Sequence, residues 1–368
     1  MPARPPLADA LTTHFDRVTL RRVSLGAPQV LVRTPELEFS YGDRDRPFHV
    51  ASIGKVATAV LMMQLIDDLD TRVAHLLPRG TLDGLFVVND TDHASEVTVR
   101  QLLDHTSGIA DYFGGRTLSG PSVKELMLAE PDRFWHPVDL LDFTRTRQRA
   151  VAEPDQRFEY SDTGYIVLGL LIEQLSGRQF HDLLNERIFA PAGMDDSYLM
   201  LRSAAAKGAR AIAPAWLDDT EVSAFSSLSA DWSGGGIVST LDDLARFSSA
   251  LHSGELVSAS QLAEMQRARN RFRPGIHYGT GLMQVRFHEF FFTLRGLPRP
   301  TGHIGVLATH LFFDPVNEAT IVMNFGSTRE MVRSFRSLIQ IEALLTAEAK
   351  RHPRQRSASR SSTGRAPG

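Results

Sequence analysis

Ala51-Ser52-Ile53-Gly54-Lys55, running straight into Val56-Ala57-Thr58-Ala59-Val60-Leu61-Met62-Met63, is the stretch on which the reading of this chain turns. The apolar run predicts a buried helix that opens at Ser52 and extends to about Leu69. Residues three apart share a helix face, so Lys55 stands beside the Ser52 hydroxyl. The helix N-terminus adds partial positive charge where a hydroxyl becomes an anion. The bland alternative is a capping serine followed by a solvated lysine. Only four lysines occur (Lys55, Lys124, Lys207 and Lys350), yet one chance pairing with serine is not rare, so companion motifs must decide.

The composition supports a real core. The 368 residues are 42% hydrophobic and 23% charged, and cysteine is absent, which excludes disulfides and thiolate metal sites. That length suggests two domains or one large composite. Residues 350–368 carry six basic side chains and no acid; taking those six from the net −3 leaves −9 on the body. We read 349–368 as a disordered, solvated basic tail. The body has no basic surface for nucleic acid. Apolar runs reach about eight residues, too short for a membrane span, and the start shows no apolar signal region. The expectation is a soluble, cytoplasmic protein with no membrane or nucleic-acid partner, its oligomeric state open.

Outward from Ser52, a helix is predicted over 7–17, strands over Val18–Ser24, Gln29–Arg33 and Leu37–Tyr41, and a strand-to-loop entry at Phe48-His49-Val50. Helices follow over 97–103, 122–129, 138–143, 165–175 (closed by Ser176-Gly177) and 180–189. Strands return at Gly234–Thr240, Tyr278–Phe287 and Glu289–Leu294, then in a hairpin of Gly305–Phe313 and Ala319–Phe325. A final helix covers 331–347. The division expected is an α/β body from 1–75 and 230–348, with a helical subdomain, 76–229, inserted.

Three short motifs stand in order: Ser52-Ile53-Gly54-Lys55, Tyr160-Ser161-Asp162 and His303-Ile304-Gly305. Around them lie Leu102-Leu103-Asp104-His105-Thr106-Ser107-Gly108-Ile109, the apolar run after Tyr160, and Gly235-Gly236-Ile237-Val238-Ser239-Thr240. In this order the chain resembles the serine β-lactamase and penicillin-binding-protein superfamily over about residues 45–325. The nearest branch holds class C-type β-lactamases, D-alanyl-D-alanine carboxypeptidases, family VIII-type esterases and D-aminopeptidases. The resemblance implies an α+β, β-lactamase-like fold: an antiparallel sheet flanked by helices, with an all-helical subdomain inserted. It also implies Ser52 as nucleophile, Lys55 as its partner and Tyr160 as proton carrier. His303-Ile304-Gly305 would be an edge-strand motif, and the backbone N–H groups of Ser52 and Val306 the oxyanion hole, with no cofactor and no metal.

The kit has a physical rationale. A serine hydroxyl needs a base, and no Gly-x-Ser-x-Gly elbow with a Ser-His-Asp order exists here. Lysine and tyrosine both titrate near 10 alone, but together an ammonium favours phenolate and the pair can share a proton near neutrality. Two departures matter. Asp162 replaces the usual Asn, which favours Lys55 as a fixed cation with Tyr160 as base. His303 replaces Lys, which weakens any grip on a substrate carboxylate and raises esterase, amidase or acyl transfer over β-lactam hydrolysis. His277-Tyr278-Gly279 is a rival third motif. Asp90, Asp92, His93, Asp104 and His105 lack a metal-ligand spacing and read as caps and turns. Tyr112, Phe113, Phe134 and Trp135 either line an acyl pocket or pack the insertion.

The reading is a serine hydrolase with an acyl-enzyme at Ser52 and a small-molecule ester, amide or peptide substrate, first an esterase or amidase. The alternatives are an acyltransferase, a D-stereospecific peptidase or weak β-lactamase and, outside enzymes, an acyl- or peptide-binding protein.

Overall fold

A computed structural model describes residues 6–22 and 24–351. Its centre is an eight-stranded antiparallel sheet. In chain order its strands are β1 (Gln29–Arg33), β2 (Glu38–Tyr41), β3 (Asn270–Arg273), β4 (Ile276–Tyr278), β5 (Met283–Val285), β6 (Thr301–Gly305), β7 (Thr309–Asp314) and β8 (Ala319–Asn324). Spatially β3 to β8 follow one another, and β8 then pairs with β1, Leu31 opposite Val322.

Alternation along the strands sorts side chains into two layers. Val30, Val32, Phe312, Ile321 and Met323 pack with Leu11 and Phe15 of α1 (Leu7–Leu20) and Leu338 and Ile341 of α5 (Met331–Arg351). Leu31, Leu311 and Val322 belong to the opposite layer, with α2 (Gly54–Leu65), α3 (Asp162–Ser176) and α4 (Leu241–Ser253). Every residue of α2 from Gly54 to Met63 is buried. A helix apolar on all sides belongs inside, and each buried Val, Leu or Met contributes about 2 kcal/mol. Ser161 caps α3 through Gly164 N–H, and Gly177 ends it at φ 66°.

Several expected elements need correction. Helix α2 stops at Leu65, not Leu69, because Ile66 turns extended and Asp68 accepts the Asp70 N–H in a local turn. The strand expected over Val18–Ser24 is absent from Val18–Arg22, Val23 lying outside the described residues. Val18 is buried in α1, and the N–H groups of Arg21 and Arg22 bond back to Val18 and Thr19, so packing overrides the β-branched pattern. Glu289–Leu294 forms helical turns, pinned where Glu289 accepts from Gly275 N–H and pairs with His277 at 2.8 Å. Gly234 and Gly235 end a short helix, Trp232–Gly235, before the strand Ile237–Ser239. That strand pairs with Phe48–His49 and Tyr198–Leu199, and short hairpins occur at 87–92 and 216–221, so segment 76–229 is not wholly helical. Residues 349–351 extend α5, and the rest of the expected tail lies outside the described residues.

Candidate active site

Ser52 sits in the tight turn Ala51–Ile53 that feeds α2. Ala51 has φ 52°, left-handed backbone that costs a side-chain-bearing residue about 1–2 kcal/mol. Two glycines hold this turn by close approach. A Cβ on Gly235 would come within 2.8 Å of the Ala51 carbonyl and 3.2 Å of Ser52 N. One on Gly305 would lie 2.7 Å from Val50 O and 2.8 Å from Ala51 Cβ. The triple-glycine block and the third motif thus clamp the serine turn from two sides.

Lys55 is fully buried, and its Nζ has three acceptors: Ser52 Oγ at 3.2 Å, Gly234 O at 2.6 Å and Asp162 Oδ1. The Tyr160 and Tyr165 rings lie 5.2 and 5.3 Å from it, which favours a cation there. Tyr160 arrives on the extended segment before α3 and its hydroxyl hydrogen-bonds Ser52. The structure therefore brings Ser52, Lys55, Tyr160 and Asp162 together.

The electrostatics differ from the expected Lys–Tyr pairing. Burial, then repulsion by Asp162, pushes Tyr160 well above its ordinary value, with Asp111 and Asp231 adding to the rise and the Ser52 hydrogen bond opposing it. These two aspartates were not singled out from sequence as site residues. Asp111 accepts N–H bonds from Phe113, Gly114 and Asp162, yet burial and the Asp162 charge raise it to about 6. The same two causes raise Asp231 to about 7.

His303 does not face substrate. It is wholly buried, its Nδ1 donates to Ile304 O at 2.8 Å, and its Nε2 therefore accepts from Tyr278 O–H at 3.0 Å. Burial, then Lys55, lowers it to about 3, so it is neutral. The rival motif is its neighbour: Tyr278 on β4 is the partner of His303 on β6. Nor is β6 an edge strand; it lies between β5 and β7. It meets β5 only at Thr301 and Gly302, which leaves Ile304, Gly305 and Val306 open to the cleft.

The His105 block frames Tyr160. Glu159 N–H donates to His105 O at 2.8 Å and Ser161 N–H to His105 Nδ1 at 3.1 Å. The other ring nitrogen then carries the proton and has no hydrogen-bond partner among the described residues. The ring lies 4.3 Å from that of Tyr160. Sequence gave no signal for this contact beyond the block's presence.

The cleft, about 240 Å³, is lined by Ser52, Tyr160, the three aspartates, Gly305 and Val306, with an apolar wall that includes Phe113, Phe272, Met283 and Phe335. Of the four aromatics 112, 113, 134 and 135, only Phe113 reaches it. Tyr112 and Trp135 are buried, and Phe134 lies partly exposed under Arg202. Among the described residues no cluster of three or more His, Cys, Asp or Glu is placed to hold a metal ion, and no helix is long and apolar enough to cross a membrane.

Comparison with known proteins fits this geometry. Penicillin-binding protein 4 of Amycolatopsis lactamdurans is 39% identical over 157 residues, 42% of this chain and 36% of that protein. The chain spans a quarter to a half of the length of the curated relatives it matches. The fold matches D-amino acid amidase from Ochrobactrum anthropi SV3, solved with L-phenylalanine amide: TM-score 0.75, 22% identity, 93% of this chain and 99% of that one. It also matches EstCE1, a hydrolase with promiscuous acyltransferase activity: TM-score 0.69, 19% identity, 92% of this chain and 99% of that one. The family model described as Beta-lactamase covers residues 39–343, and the chain belongs to the beta-lactamase family.

Proposed function

We propose that this protein is a serine hydrolase that takes an ester or amide through an acyl-enzyme at Ser52. The convergence of Ser52, Lys55 and Tyr160 on one cleft carries the reading. Ser52 Oγ bonds to the carbonyl carbon as the bond to the leaving oxygen or nitrogen breaks. Tyr160, kept as a phenol by burial and by the Asp162 charge, accepts the Ser52 proton while passing its own to the leaving atom. In deacylation a water oxygen bonds the acyl carbon as that carbon's bond to Ser52 Oγ breaks, and the water proton passes to Tyr160 while the Tyr160 proton goes to Ser52 Oγ. Lys55, held by three acceptors, supplies fixed positive charge beside the forming alkoxide. The N–H groups of Ser52 and Val306 form the oxyanion hole, each worth about 3 kcal/mol. The segment 76–229 serves as the far wall, through Asp111, Phe113 and Tyr160.

Three aspartates in the lining against a single basic residue, Arg273, with His303 withdrawn and neutral, disfavour a substrate carboxylate. They favour an acyl group that carries an amine, with an apolar side chain against Phe113 and Phe272, as in an amino acid ester or amide. The D-amino acid amidase likeness agrees with that choice. Acyl transfer is the second reading, favoured by an apolar wall that suits an organic acceptor.

Burst release from p-nitrophenyl esters, with intact mass after exposure to D- and L-amino acid amides and β-lactams, tests the reading. A Ser52-linked acyl adduct, absent in Ser52→Ala, is expected. Neither burst nor adduct across the panel would overturn it.

A further inference from the structure

We propose that the groove between the end of α1 and the start of α5 is an anion site for a phosphate-bearing ligand, separate from the Ser52 cleft. Arg17, Arg21, Arg329, Arg333 and Arg336 line it beside His14, enclosing about 320 Å³, with no acidic side chain in the lining. Two of the five arginines are committed: Arg329 pairs with Asp219, and Arg333 with Glu330. Glu330 is already engaged by the buried Arg22, at 3.0 Å. Arg17, Arg21 and Arg336 have no carboxylate partner among the described residues.

The local excess of positive charge is felt by its neighbours. His14 is lowered by burial and by Arg17, and Arg22 by burial and also by Arg333, against the opposing pull of Glu330. Helix dipoles do not create this field: His14 Nε2 meets Ser337 Oγ at 3.0 Å, α1 ends where α5 begins, and the two ends oppose each other. The side chains therefore carry it, on a body whose charge is otherwise negative.

The occupant must bring several negative charges at once. Three free guanidinium forks match the oxygens of a phosphate or diphosphate, each able to bind an edge in a bidentate manner. A single carboxylate would leave most of the charge unmet. The chain's own C-terminal segment is unsuitable, because 350–368 holds six basic residues and no acid. The phosphate can come from a soluble phosphoester or from a lipid headgroup, and the two sources separate experimentally.

Pyrophosphate titration by calorimetry, and co-flotation with vesicles of phosphatidylglycerol against phosphatidylcholine, should be run on the wild type, on Arg17→Glu/Arg336→Glu and on Ser52→Ala. Pyrophosphate binding that weakens at least about tenfold in the double variant and falls with added salt supports a soluble ligand. Flotation with the anionic vesicles alone, lost in the double variant, supports a headgroup. Ser52→Ala should bind as wild type, and the double variant should keep ester turnover, so this proposal and the Ser52 reading fail separately. Absence of both interactions in the wild type, or full retention in the double variant of every interaction the wild type shows, would overturn it.

Discussion

Asp162 pairs with Lys55 through Oδ1, and the same carboxylate is, after burial, the largest influence raising Tyr160. One side chain thus fixes the cation beside Ser52 and keeps the phenol protonated. Asp162→Asn removes a negative charge, so Tyr160 loses its proton more readily, and Asp111 and Asp231 also lose theirs at lower pH. If the phenol must start protonated, the basic limb of the acylation profile moves to lower pH in Asp162→Asn. Stopped-flow burst rates across pH measure this. An unmoved basic limb would separate Asp162 from the proton path.

His303 and Tyr278 form a buried pair behind Tyr160. Tyr278→Phe removes the donor and leaves His303 Nε2 unpaired in the interior, at a cost of about 1–3 kcal/mol. Denaturant midpoints check the loss. Because His303 does not reach substrate, His303→Asn should lower kcat by the same factor for an ester with a free carboxylate and for its neutral methyl ester. A loss confined to the carboxylate-bearing ester would restore a binding role.

Much of this is legible in the sequence itself. Ser52, Lys55 and Tyr160 announce themselves because their chemistry requires particular residue types in motif order, and α2 because the run Val56–Met63 is apolar but for Thr58. The aspartate cluster was not legible. Asp111 and Asp231 look like ordinary loop acids, and only the fold sets them around Asp162. His303 misled because its motif position suggests a cleft-facing head, whereas the strand turns its ring inward to Tyr278. Val18–Ser24 misled because a β-branched run was outweighed by the packing of Val18 beneath the sheet.

Glu342 of α5 gives a stability prediction. It is wholly buried near Asp314, and burial, then Asp314, raises it well above its ordinary value. The unfolded chain loses this proton in the normal carboxylate range, whereas the folded chain keeps it. The unfolded state therefore binds fewer protons, and stability falls as pH rises above that range. Glu342→Gln should flatten the slope, by up to about 1.4 kcal/mol per pH unit, as pH rises above the ordinary carboxylate range. Urea midpoints of both proteins across pH read it; parallel slopes would refute the assignment.

Gly235 offers the sharpest test of what holds the nucleophile. Its Cα backs onto the serine turn, and an added Cβ would stand 2.8 Å from the Ala51 carbonyl, a backbone group that cannot swing aside as a side-chain end can. Gly235→Ala must therefore push Ala51 and Ser52 outward, lengthening the 3.2 Å contact to Lys55 and misaiming the hydroxyl. A displacement near 1 Å costs about a hundredfold in rate. Gly296→Ala is the control, because its Cβ meets nothing within 4 Å. The expected result is a burst rate reduced about a hundredfold in Gly235→Ala with a cooperative melt retained, and no change in Gly296→Ala. Acylation of Gly235→Ala at the wild-type rate would mean that the serine turn holds its geometry without this backbone contact.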